Sequence, residues 1–143
     1  MRLPLILALP CLLFAQPEIA ARRFHPSVQW LAKSAIAADF TCRGRTEHAI
    51  LGTKKDAIFI AVFTNGLTSR PQLLEYSARV RNSATVAIEP EDQNFDPAKE
   101  LGYKLPGFRP SKTCKGLNFS DGHGDSAHIY WNHAARRFDD WSR

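Results

Sequence analysis

The stretch EHAILGTKKDAIFIAVFT, residues 47–64, decides the fold. Its second half, DAIFIAVFT (56–64), is almost continuously apolar and rich in β-branched and aromatic residues. That pattern predicts a central strand covered on both faces. EHAIL (47–51) is a shorter strand candidate, and TKKD (53–56) predicts the hairpin connection between the two. Turn chemistry follows at once in NGLTSRP (65–71), where Asn65–Gly66 is the strongest signal.

Further strands follow downstream. QLLEYSARV (72–80) and ATVAIEP (84–90) are strand candidates, the second ended by Pro90. KGLNF (115–119), SAHIYWNH (126–133) and RFDDW (137–141) are three more, joined by the turns SDGHGD and AARR. Residues 91–111 are irregular apart from one helical turn or two. There Asp96 would cap, Pro97 would start and Gly102 would follow the end. Leu105 and Phe108 could pin the rest of this long loop to the body, as could the neighbouring Cys114. Upstream, RRFHPSVQWLAKSAIAA (22–38) predicts a helix, with Pro26 in its first turn and Val28, Leu31, Ala32 and Ala35 at helical spacing. The fold class expected is α+β: an antiparallel β-sheet of about six or seven short strands with an N-terminal helix packed against it.

The first residues carry a different message. Arg2 precedes an apolar run from Leu3 to Phe14, too short to span a bilayer as a helix. Residues 1–20 are therefore read as a signal peptide, with small residues for cleavage at Ala15 and, alternatively, at Ala20 or Ala21. Pro10 before Cys11 argues against lipidation at that cysteine. Residues 21–143 are read as one globular domain, in the periplasm or secreted. In an oxidising compartment the two remaining cysteines, Cys42 and Cys114, are expected to pair.

The chain has 143 residues and a net charge of +5, but its basic residues are scattered in pairs such as Arg22–Arg23 and Arg136–Arg137. No run reaches the length of a nucleic-acid-binding arm, and Asp139 and Asp140 interrupt the basic C-terminal patch. Neither nucleic acid nor, after signal cleavage, a membrane is the expected partner. A solvated surface is the simpler reading.

Three stretches could carry chemistry. In ADFTCRGRTEHAILG (38–52), Asp39 and Glu47 are carboxylates and Gly44 permits a sharp turn. Calcium needs six to eight oxygen ligands, yet Arg43 stands where a ligand should be, and Arg43 and Arg45 nearly cancel the two carboxylates. A metal site at Asp39 and Glu47 is therefore only a weak alternative, and no cofactor is expected. In DGHGDSAHIYWNH, His128 with Asp121 or Asp125 could form a base and its orienter, the alternative being a small hydrolase. No nucleophile elbow or metal motif accompanies them. Strand alternation puts Ala127, Ile129 and Trp131 in the core and turns His128, Tyr130 and Asn132 outward. Tyr130, Arg136, Arg137 and Trp141 then form an aromatic and arginine-rich hairpin of the kind enriched at binding hot spots.

Two resemblances follow from these residues. The loop from Asp39 through Thr41, Arg43 and Gly44 to Glu47 resembles a degenerate calcium loop of the VCBS/FG-GAP type, which implies a loop shape kept without the ion. GFRPSKTCKGL and SAHIYWNH are similar to the C-terminal part of small exported, uncharacterised bacterial proteins, a resemblance that brings no activity and no catalytic residue. The expected function is a non-enzymatic binding or accessory protein, such as a small protein inhibitor, whose partner is another envelope or secreted protein.

Overall fold

A computed structural model describes residues 16–77, 83–88, 97–124 and 126–142. In chain order the elements are α1 (Gln16–Phe24), β1 (Gln29–Trp30), a 3-10 turn (Ala32–Ser34), β2 (Ile36–Ala38), β3 (Glu47–Lys54), β4 (Ala57–Phe63), β5 (Gln72–Ser77), β6 (Thr85–Ile88), α2 (Pro97–Leu101), β7 (Leu117–Ser120), β8 (Ala127–Asn132) and β9 (Arg137–Trp141). The class is α+β, with all strand pairs antiparallel.

The central hairpin forms as its pattern predicts. β3 and β4 pair from His48↔Phe63 to Lys54↔Ala57, so the connection is only Lys55 and Asp56. β4 is covered on both faces. Ile58, Ile60 and Val62 join one buried cluster, while Ala61 and Phe63 join another. Alternation along the strand is what sorts them.

Two expectations are corrected. The described residues form nine strands in two sheets, not one sheet of six or seven. One sheet has the order β1-β3-β4-β5, with β2 also pairing β3; the other runs β6-β7-β8-β9. The helix also sits earlier than the 22–38 stretch. α1 ends at Phe24, and residues 29–38 supply β1, the 3-10 turn and β2. Pro26 is the reason: it has no N–H to donate and disfavours helical geometry in the residue before it, so it stops a helix here rather than starting one. Strand candidates 72–80 and 84–90 and the cap at Asp96 run partly into residues outside those described. The same is true of most of the signal-peptide segment.

The layers follow from the two clusters. α1 packs Ala20 and Ala21 onto the outer face of the first sheet, with Val28, Trp30, Ile50, Ala61 and Phe63. The inner face presents Ala49, Leu51, Ile58, Ile60 and Val62 to Val86, Leu117, Phe119, Ile129 and Phe138 of the second sheet. Trp30 lies over Gly52 of β3, where a Cβ would sit 2.6 Å from the indole ring.

Three links tie the sheets at one end. Cys42 and Cys114 form a disulfide across a separation of 72 residues, and Lys115 N–H donates to the Asp39 carbonyl at 2.9 Å. The side chain of Gln72 in β5 bonds both ways with the backbone of Phe138 in β9, accepting its N–H at 3.0 Å and donating to its carbonyl at 3.3 Å. Gln72 thus does for the seam what a ladder residue does within a sheet.

Candidate functional site

The loop from Asp39 to Glu47 spends its carboxylates on itself. Asp39 accepts the backbone N–H groups of Arg43 (3.0 Å) and Gly44 (2.7 Å). Glu47 is 1 % exposed and accepts from Phe40 N–H (3.0 Å), Thr41 N–H (2.8 Å), the Thr41 hydroxyl (2.6 Å) and Arg43 Nη2 (2.8 Å). These donors occupy the oxygens a cation would need. Among the described residues no group of three or more His, Cys, Asp or Glu gathers to hold a metal ion. Arg43, read from the sequence as the residue that spoils a calcium site, is what organises this loop. Its guanidinium also donates to Thr41 Oγ1 and to Asn65 Oδ1. Arg45 reaches the Thr64 carbonyl and Asn65 as well.

The C-terminal hairpin departs from the outward-facing row expected of it. Tyr130 is buried, not exposed: its hydroxyl donates to the Pro106 carbonyl at 3.0 Å and Phe108 meets its ring edge-on. The physical reason is the long loop after α2, which lies over this face of β8 and removes it from solvent. Asn132 is buried there too. Its Oδ1 accepts the N–H groups of Ala134 (3.0 Å) and Ala135 (2.9 Å), and its Nδ2 donates to Asp139 at 2.7 Å. Gly107 fits only because it lacks a side chain, since a Cβ would fall 1.9 Å from Asn132 Oδ1. Of the other proposed binding residues, Arg137 pairs with Asp139 at 2.8 Å and Trp141 stacks on His128 with ring centroids 4.2 Å apart. Burial raises the Tyr76 hydroxyl well above its usual range, and Asp140, which accepts its hydrogen bond, adds to this. Asp139 and Asp140 thus contact residues of the same hairpin and sheet seam.

Arg136 goes elsewhere. It closes the β8–β9 turn in the left-handed region, at φ 54°, with its N–H on the Asn132 carbonyl at 2.8 Å. Its side chain lines a cleft of about 580 Å³ where the two sheets meet. Arg43, Arg70 and Arg109 line the same cleft, together with His133, Trp131 and the polar side chains of Thr41 and Asn65. Among the described residues no carboxylate lines it. Arg43 is paired with Glu47, but no carboxylate among the described residues lies within ion-pair distance of Arg70, Arg109 or Arg136. Trp131 is half-buried, held edge-on by Phe138 at 5.0 Å. His133 is fixed by its N–H on the Gly107 carbonyl at 3.0 Å, and its Nε2 is buried with no hydrogen-bond partner among the described residues. Burial lowers its pKa below the usual imidazole value, and nearby Arg109 lowers it further.

Chemically, the cleft offers groups suited to oxyanions. Guanidinium groups present fixed forks of donors that match carboxylate, phosphate and sulfate oxygens. The cleft's four arginines come from four loops or turns far apart in sequence. Only Arg136 was singled out as a binding residue beforehand. Arg70 and Arg109 carried no local signal except that each follows or precedes turn residues.

The residues of the hydrolytic alternative are placed differently. The Asp121 carboxylate accepts the His123 N–H at 2.8 Å, His128 is stacked on Trp141, and Asp125 lies outside the described residues. Asp121 and Trp141 line a separate, smaller cleft of about 320 Å³ with Tyr76, His123 and Asp140. Comparison with protein-family models, curated proteins and solved structures gives no match.

Proposed function

We propose that this chain is an exported, non-enzymatic binding protein whose ligand docks with its anionic groups in the arginine cleft between the sheets. The observation that carries this is the cleft itself, lined by Trp131 and by three arginines that have no carboxylate within ion-pair distance among the described residues. Like charges gathered at one place repel, and an incoming anion relieves that repulsion. The cleft volume falls in the range of small-ligand sites. Export is supported by the apolar N-terminal segment and by the disulfide, whose Cys114 is fully buried. No described helix is long and apolar enough to cross a membrane. Cleavage after Ala15 would leave α1 whole, whereas cleavage after Ala20 or Ala21 would cut through it and remove buried packing. N-terminal sequencing of the exported protein should therefore begin at Gln16.

Thermal unfolding in the presence of anionic, neutral and cationic small molecules tests the site. The anionic members should raise the melting temperature, and an Arg70→Ala/Arg136→Ala variant should keep its own fold but lose that response. An equal response to neutral compounds, or an unchanged one in the variant, would remove the cleft as the binding site. Turnover of an ester or phosphate substrate that disappears in a folded His128→Ala protein would replace binding by hydrolysis.

A further inference from the structure

The walls of the cleft carry Arg43, Arg70, Arg109 and Arg136, of which only Arg43 is paired with a carboxylate among the described residues. A single negative charge would leave most of that repulsion in place, whereas a ligand with two or more would meet several forks at once. The site is concave and small, unlike the broad, nearly flat face that a folded protein partner needs. The second feature is His133. His133 lines the cleft, and its Nε2 is buried with no hydrogen-bond partner among the described residues, an arrangement that costs free energy unless an acceptor is supplied. Among the described residues, the charged groups that share the cleft with this ring are all arginines. Burial and the nearby Arg109 oppose its protonation. An anion placed among the arginines reverses the local field.

Resting on the reading of the cleft as an anion-binding site, we propose that its ligand is a small oxyanion bearing two or more negative charges, gripped by Arg70, Arg109 and Arg136, and that His133 takes up a proton and donates through Nε2 as this ligand binds. Affinity then rises as pH falls, because protons enter only with the ligand. For one proton the change is at most about tenfold per pH unit. It levels off once the ring is protonated in the free protein too.

Isothermal titration of the purified protein with ethanedisulfonate and methanesulfonate tests this, since neither probe changes its own charge across the range. Ethanedisulfonate should bind at least about tenfold more tightly than methanesulfonate. Its affinity should rise between about pH 8 and about pH 6, and buffers of different ionisation enthalpy should report proton uptake. His133→Gln should still bind near pH 8 and show a flat pH profile. Should that variant fail to fold, the His133 ring in the wild-type protein, followed by NMR, should titrate at higher pH with the probe than without it. Citrate near pH 8 should bind as ethanedisulfonate does, extending the class to carboxylates; a response to sulfonate alone would narrow the ligand to tetrahedral oxyanions and overturn the wider class. Equal binding of the two sulfonates, or a pH dependence that survives His133→Gln, would overturn the inference while leaving an anion cleft. Tighter binding of an acetylated poly-aspartate peptide than of any small anion would replace the small ligand by an acidic protein segment. If no anion binds at all, the reading of the cleft falls as well.

Discussion

Gly107 shows how much can depend on one missing side chain. It occupies the left-handed region at φ 63°, and a Cβ there would overlap the amide of Asn132. That amide in turn holds the turn carrying His133 and Arg136. Gly107→Ala should lower unfolding free energy by about 2–4 kcal/mol, combining left-handed strain with overpacking; chemical denaturation will measure it. At this scale the sequence was only partly legible. Gly107 announced a turn, but nothing local said that the turn would lie against Asn132. Tyr130 shows the same limit. Alternation put it on the opposite face from Ile129, correctly, but a loop more than twenty residues upstream decided that this face was covered.

Among the elements, the β3–β4 hairpin was the most readable, because a strand buried on both faces must be apolar throughout. The stretch 22–38 was the least. Its apolar residues recur at helical spacing by coincidence, and the strand pairing of Trp30 with Gly52 overrides that pattern. Gly52→Ala would push a methyl group into the Trp30 ring and should cost about 1–3 kcal/mol, again readable by denaturation. Gln72 gives a sharper test of the seam. Gln72→Ala removes both hydrogen bonds to the Phe138 backbone. Stability should fall by about 1–3 kcal/mol, and amide exchange at Phe138 should accelerate more than at its β9 neighbours. Equal exchange in both proteins would mean that Gln72 does not join the sheets.

On the scale of the whole molecule, the disulfide and the histidines set stability. Closing a loop across 72 residues contributes about 4 kcal/mol in the chain-entropy model. Reduction, or Cys42→Ser with Cys114→Ser, should lower the denaturation midpoint accordingly and disturb the cleft, which Cys42 lines. Neither cysteine should react with a thiol reagent in denatured, unreduced protein. His25, His48 and His133 are each held below the usual imidazole pKa, chiefly by burial. The unfolded chain therefore binds protons at a higher pH than the folded one. Stability should be fully present above about pH 6.5, fall as pH drops below that value, and level off once the folded-state rings are also protonated. Urea midpoints across pH 5–8 should show this slope, reduced in a His48→Gln variant.

The sequence by itself determined the α+β class, the central hairpin, the closing strand RFDDW and the pairing of Cys42 with Cys114. These rest on local periodicity, turn chemistry and a simple count of cysteines. Only the tertiary structure decided that there are two sheets and that residues 29–38 are extended. It also turned Arg43 from a flaw in a calcium loop into its organiser, and gathered Arg70, Arg109, His133 and Arg136 around one cleft. Those residues lie far apart along the chain, and the cleft exists only where the two sheets close on each other. A guanidinium at the end of a turn has no local signature that reveals what will stand opposite it.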